Sequence, residues 1–337
     1  MLELDELHLV VITDNETDSL SSIDNDVQTN ERVALLDRLE PSYVIDGKDH
    51  ISVLDHMCCA SHGFSVLATG LKDGRSRTVL FDVGPYGDIW LANAVRLDID
   101  LAAIETVFLS HWHWDHSGGL VAVISAIAGA RSEAGLSAPV LEVHPSRPDH
   151  RGTRLSDGRV ALLPEDPTLD QLAAAGATVM LSDVDHEIAG GFFHGSGEIP
   201  RITAFETGLS GHETRRNGTF EPDPLLLDER YFVANVRGRG TTILSACSHA
   251  GVINVATAAT HLHGLPLDLV LGGYHLAGKV MEGRIFDTVA ALKSLDPRLV
   301  GPGHCTGWRA KAALAAAFSP SGQYAPSSVG TQYHLRA

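Results

Sequence analysis

The sequence predicts an α/β fold, and two observations predict it. Short apolar runs rich in β-branched residues alternate with longer apolar stretches that recur at helical spacing, and the alternation occurs twice along 337 residues. Hydrophobic residues make up 44% of the chain, enough to build a sizeable core. A third observation puts chemistry on that frame. The apolar run Thr106-Val107-Phe108-Leu109 leads straight into Ser110-His111-Trp112-His113-Trp114-Asp115-His116-Ser117-Gly118-Gly119.

Taken in order, Leu7 to Thr13 reads as the first strand and the polar stretch Asp14 to Asn30 as a surface loop. Residues 51–55 and 63–69 read as short strands around Cys58-Cys59. Lys72-Asp73-Gly74-Arg75 reads as a hairpin turn before a strand at Thr78 to Val83. Helices are expected at Asp88 to Leu97 and Leu120 to Ala134, the second with a small-residue apolar stripe that suits core packing. Val140 to His144 reads as a strand, and residues 145–170, rich in Pro, Asp and Arg, as a long excursion. A helix at Thr168 to Ala175 and a strand at Thr178 to Leu181 close the first half.

The second half repeats the rhythm. Tyr231 to Val236 and Thr241 to Ser245 form a predicted hairpin around Arg237-Gly238-Arg239-Gly240. A helix at Gly251 to Leu262, a strand at Leu267 to Leu271, and helices at Ile285 to Leu295 and Ala310 to Phe318 follow. The polar tail 319–337 reads as loosely held. One domain over 1–337 is expected, with insertions near 14–50 and 145–170.

The chain carries 25 basic and 42 acidic residues, a net charge of −17, which argues against nucleic acid or an anionic membrane as the main partner. The four cysteines Cys58, Cys59, Cys247 and Cys305 show neither a disulfide framework nor a CxxC pair, so a reducing compartment is expected. The start Met1-Leu2-Glu3-Leu4 lacks the basic and apolar segments of a secretory leader, and no apolar run is long enough to span a bilayer. These features predict a soluble cytoplasmic protein that takes a small-molecule substrate, with a homo-oligomer left open.

Eighteen histidines are more informative, because imidazole is the commonest metal ligand. His111 and His113 are two apart and point the same way in extended backbone, which lets them chelate one ion. Asp115 and His116 follow at the turn, where they reach a second ion. Three further histidines sit where apolar runs end in glycine-rich turns: His249 in Ser245-Ala246-Cys247-Ser248-His249-Ala250-Gly251, His275 in Gly272-Gly273-Tyr274-His275-Leu276, and His304 in Gly301-Pro302-Gly303-His304-Cys305. Cys247 thiolate competes with His249 as a ligand, His194 before Gly195-Ser196-Gly197-Glu198 is a further candidate ligand, and His275 is a candidate ligand or ligand-supporting group. Trp112 and Trp114 either line a pocket or pack beneath the loop. Glu198 and Arg201 either contact substrate or pair with each other.

The His111 to His116 segment resembles the HxHxDH motif of the metallo-β-lactamase superfamily. The segments around His249, His275 and His304, with His62-Gly63-Phe64-Ser65 and Gly197-Glu198-Ile199-Pro200-Arg201, resemble its dihydropterin synthase-like branch. The resemblance implies a four-layer αββα sandwich and two zinc ions, although manganese or iron also suit these donors. It implies His111, His113 and His249 on one ion and Asp115, His116 and His304 on the other. Asp115 is then the catalytic carboxylate that orients a metal-activated hydroxide or passes a proton. The chain departs from better-known members in having no late bridging aspartate; Ala246-Cys247-Ser248-His249 stands there instead. The leading expectation is a binuclear hydrolase of a small ester, lactone, amide or phosphoester. The alternatives are a synthase-type transferase joining a pterin diphosphate to an aminobenzene riboside phosphate, and a non-catalytic metal-binding sensor.

Overall fold

The computed structural model describes residues 1–36 and 38–337. An eight-stranded sheet runs in the order Thr178–Leu181, Val140–Val143, Ile104–Phe108, Arg75–Phe81, Ser65–Lys72, Glu6–Thr13, Gln332–Arg336, Gln28–Thr29. A seven-stranded sheet runs His186–Ile188, Phe193–Gly195, Phe232–Val236, Gly240–Ser245, Leu267–Gly273, Leu299–Gly303, with Glu3–Leu4 alongside Phe232–Val236.

Period-two alternation explains how these sheets stack. In Glu6–Thr13, Leu7, Leu9 and Val11 face the second sheet, while Val10 and Ile12 face the helices Gly87–Arg96 and Leu120–Glu133. The layer between the sheets includes Phe81, Phe108 and Phe232, whose ring centroids lie 5.7–6.0 Å apart. Aromatic contacts at such spacing add roughly 0.5–1.5 kcal/mol each beyond area burial. On the far side of the second sheet, Val233, Ile243, Val270 and Val300 pack against Val252–His263, Ile285–Leu295 and Trp308–Phe318. Helices therefore cover both outer faces, which is the four-layer αββα arrangement.

Several expectations need correcting. Residues 51–55 form no strand; a short 3-10 turn, Leu54–His56, begins within them. Asp14 is not on the surface but fully buried, because its carboxylate accepts from Ser327 Oγ and His304 N. The excursion 145–170 is ordered. His150–Arg154 pairs antiparallel with Val160–Leu162 and with His212–Arg216, making a small four-stranded sheet with Thr219–Pro222. The tail is held rather than loose. Gln332–Arg336 inserts between Glu6–Thr13 and Gln28–Thr29, with Tyr333 and Leu335 fully buried. Its alternation of buried and exposed residues is a strand signal that the polar residues before it obscure.

Among the described residues, no helix is long and apolar enough to cross a membrane.

Candidate metal centre

The strands Gly240–Ser245, Leu267–Gly273 and Leu299–Gly303 are mutually parallel, as are Arg75–Phe81 and Ile104–Phe108. Parallel strands end on one edge of a sheet, and the residues that follow them collect there. At that rim the segments after these strands bring together Asp82, His111 to His116, Cys247 to His249, and His304. Asp82, Ser248, His275 and His304 have positive φ of 54°, 60°, 44° and 41°. Such backbone is costly for residues other than glycine and clusters at functional sites.

Two groups of donor atoms converge. In the first, His111 Nε2 lies 3.0 Å from His113 Nδ1, and His249 Nε2 lies 3.2 Å from both. In the second, Cys247 Sγ lies 3.2 Å from His116 Nε2 and from His304 Nε2, while Asp115 Oδ2 is 3.5 and 3.3 Å from those nitrogens. Both Cys247 and His249 therefore join the cluster, one in each group, where the sequence had set them as competitors. The Cys247 sulfur stands where a bridging aspartate was missing.

The surrounding hydrogen bonds decide which ring nitrogens carry protons. Asp82 Oδ2 accepts from His116 Nδ1 and from Ser110 Oγ, both at 2.8 Å. With its only proton used on Asp82, Ser110 Oγ accepts from His111 Nδ1 at 2.8 Å. Asn15 Oδ1 accepts from His304 Nδ1 at 2.9 Å. His212 Nδ1 donates to the Asp223 carbonyl, so its Nε2 accepts from His113 Nε2 at 3.0 Å. In the neutral form of each ring, the assignment leaves a lone pair on the nitrogen that faces the cluster. Lone pairs this close repel unless a cation lies among them. A tetrahedral ion with nitrogen ligands at about 2.0–2.1 Å spaces those nitrogens about 3.3 Å apart. The donor set thus fits metal, with nitrogen alone in the first group and nitrogen, oxygen and sulfur in the second.

Burial holds His111, His113 and His249 well below the ordinary imidazole range, in the neutral form a ligand needs. Burial also opposes charge on His116, but Asp115 and Asp82 outweigh it and raise that ring to about 10. Binding of a cation at the second group must therefore displace protons.

Two buried arginines hold the motif from behind. Arg151 pairs with Asp228, each about 1% exposed, and donates to the Trp112 carbonyl at 2.7 Å while Asp228 accepts from Trp112 N at 2.9 Å. The backbone between His111 and His113 is thereby clamped on both sides. Arg230 stacks over Phe108 at 4.2 Å and donates to Glu142 and to the Leu109 carbonyl.

The other candidates fall differently. Trp112 is fully buried and its Nε1 donates to the His144 carbonyl, so packing fixes it. Trp114 is half-buried. Glu198 is exposed, and Arg201 turns instead to the Leu225 carbonyl. His194 lies away from both groups, on strand Phe193–Gly195 with its ring 5.1 Å from His263. His275 approaches Cys247 and Cys305. Asp82, Asn15, His212, Asp228 and Glu229, whose carboxylate accepts from His249 N at 2.7 Å, were missed. Asp82 carries the same signal as the histidines, a polar residue where an apolar run meets glycine. Asn15 and His212 reach the site only through long-range packing.

Asp166 lies under the motif, accepting from Ser117 Oγ, and burial raises its carboxyl to about 6. A raised acid contributes stability that is complete below its unfolded value of 3.8 and lost as pH rises through about 6. Asp166→Asn keeps an acceptor for Ser117 and removes that loss. The variant is expected to gain on the order of 1–3 kcal/mol over the parent at pH 8 and nothing at pH 4. Denaturation midpoints at both pH values check this, and an equal difference at both would refute it.

Residues 63–199 match the family model of the metallo-beta-lactamase superfamily, a stretch that contains the whole His111 to His116 segment. That match and the αββα architecture make the chain similar to the metallo-β-lactamase superfamily. It is 29% identical over 259 residues to the 7,8-dihydropterin-6-methyl-4-(β-D-ribofuranosyl)-aminobenzene-5'-phosphate synthase of Methanocaldococcus jannaschii, covering 75% of this chain and 83% of that one. An uncharacterized protein of the same organism is 27% identical over 256 residues, 74% of this chain and 86% of its own length. Among solved structures, Tm1679, described as a metal-dependent hydrolase of the β-lactamase superfamily, superposes with a TM-score of 0.69 at 22% identity over 98% of this chain and 100% of that one.

Proposed function

We propose that the chain holds two divalent ions, one on His111, His113 and His249 and one on Asp115, His116, Cys247 and His304, and acts as a transferase of the dihydropterin synthase type. Zinc suits this mixture of nitrogen, oxygen and sulfur. Such a pair supplies Lewis acidity, which steadies negative charge on the oxygens of a departing diphosphate. The protein's own residues do the rest. Ser110, Asn15 and His212 fix the ring tautomers, and the Arg151–Asp228 clamp keeps His111 and His113 in register. Asp115 Oδ2 lies 3.5 Å from His62 Nε2, whose side chain is 69% exposed. His62, held beside the Asp115 carboxylate, can take the proton released by the attacking aminobenzene and carry it to solvent.

The observation that carries the reading is the likeness to the synthase across 83% of that enzyme's length. The test is incubation of the zinc-loaded protein with a dihydropterin diphosphate and the aminobenzene riboside 5'-phosphate. The expected result is one diphosphate released per joined product, followed by mass spectrometry.

Hydrolysis of a small ester, lactone, amide or phosphoester is the second reading. It is favoured by the cavity that touches His249 and His275, whose volume is about 10 Å³, room for about one water. Turnover of such substrates with no joined product would replace the first reading by the second.

A further inference from the structure

Beside the two donor groups lies a third convergence. Cys247 Sγ, a His275 ring nitrogen and Cys305 Sγ all lie within 4.8 Å of one another. Cys247 and Cys305 follow strands Gly240–Ser245 and Leu299–Gly303, which do not touch, because Leu267–Gly273 runs between them. The middle strand lets them meet by ending in glycine. A Cβ on Gly273 would sit 2.7 Å from Cys305 Sγ and 2.5 Å from the Ala246 carbonyl, so any side chain there would push the thiol away. Cys305 Sγ instead lies 3.5 Å from the Cys247 carbonyl, its thiol donating to it. His275 is held over this gap in left-handed backbone, with φ of 44°. Its Nδ1 is buried with no hydrogen-bond partner, an arrangement that costs free energy unless something binds there.

We propose that Cys247, His275 and Cys305 form a distinct thiolate-rich seat for a soft metal ion such as cadmium or cuprous copper. Two thiolates and one imidazole are a soft donor set, unlike the three-imidazole group beside it. Donors around a tetrahedral ion with sulfur at about 2.3 Å stand about 3.5–3.8 Å apart, so the three groups need to close by only about an ångström. Cys247 belongs both to this seat and to the proposed second zinc group. A soft ion that takes Cys247 into the new seat competes with the ion on Asp115, His116 and His304. The inference rests on the binuclear reading only through that shared sulfur.

The experiment is a cadmium titration of the full-length, reduced, metal-free protein carrying Cys59→Ser, which removes the exposed thiol. Thiolate-to-cadmium absorption in the ultraviolet counts the sulfurs bound. The parent is expected to reach the amplitude of two thiolates, Cys305→Ser about half of it, and His275→Asn the full amplitude at several-fold higher cadmium. Asparagine tolerates the left-handed backbone at position 275, so this second variant separates loss of a donor from loss of fold. Full amplitude in Cys305→Ser, or the same cadmium dependence in His275→Asn as in the parent, would overturn the proposal. Zinc content, measured separately, reads the binuclear centre. No bound zinc together with a halved amplitude in Cys305→Ser would sink the binuclear reading and leave this seat standing.

Discussion

His111→Ala and His304→Ala are each expected to lower bound metal from about two ions per chain to about one, while the protein stays folded. The expectation follows from the separation of the two donor groups. His111 contributes Nε2 to the three-imidazole group and His304 contributes Nε2 to the group with Asp115, His116 and Cys247. Either substitution removes one vertex and leaves the other group intact. The partners that merely orient ligands are worth about 10–100-fold in affinity or activity in other metalloproteins, and a lost ligand costs more. Turnover is therefore expected to fall by on the order of a thousandfold or more in both variants. Both side chains are buried, yet neither carries the core, and relief of crowded lone pairs offsets part of the cavity cost. Elemental analysis after gel filtration, with circular dichroism for the fold, gives the answer. A full metal complement in both variants would remove these residues from the ligand set.

Arg151→Ala is expected to be the most destabilising single change near the site, by about 3–5 kcal/mol at pH 7.5. The cost comes from what stays behind. Asp228 is fully enclosed, and although burial opposes its charge, Arg151 holds its carboxyl well below the ordinary value of 3.8. A depressed acid contributes stability above its unfolded pKa that is lost only as pH falls through the folded value. In the parent that loss belongs to strongly acid solution. Without the guanidinium, the chief opponent of burial is gone and the Trp112 N–H remains a weaker one, so Asp228 protonates nearer neutrality and the penalty shrinks as pH falls. The deficit should thus be clearly smaller at pH 4.5 than at pH 7.5 in urea unfolding. A deficit independent of pH would mean that lost packing, not the stranded carboxylate, sets the cost. Metal affinity should fall too, because the same pair grips both sides of the Trp112 peptide.

What the sequence determined by itself is local. Alternation placed Thr178–Leu181 and Ile285–Leu295, and the apolar run before His111 located the strand that launches the metal motif. A two-residue spacing on extended chain is enough to aim His111 and His113 together, since neighbouring residues set that geometry. The glycine-rich strand ends marked Cys247, His249 and His304 as candidates without saying how they divide. Only the tertiary structure decided that division, because it depends on the order and parallel direction of three strands far apart in the chain. Asn15 is 289 residues from the His304 ring it orients, and His212 is 99 from His113. The C-terminal strand was hidden for the same reason. Gln332–Arg336 is too short to declare itself, and its stability comes from pairing with the two N-terminal strands on either side. Local patterning fixes what a segment prefers to be, whereas a candidate metal centre assembled from several loops exists only once the sheets have brought those loops to one rim.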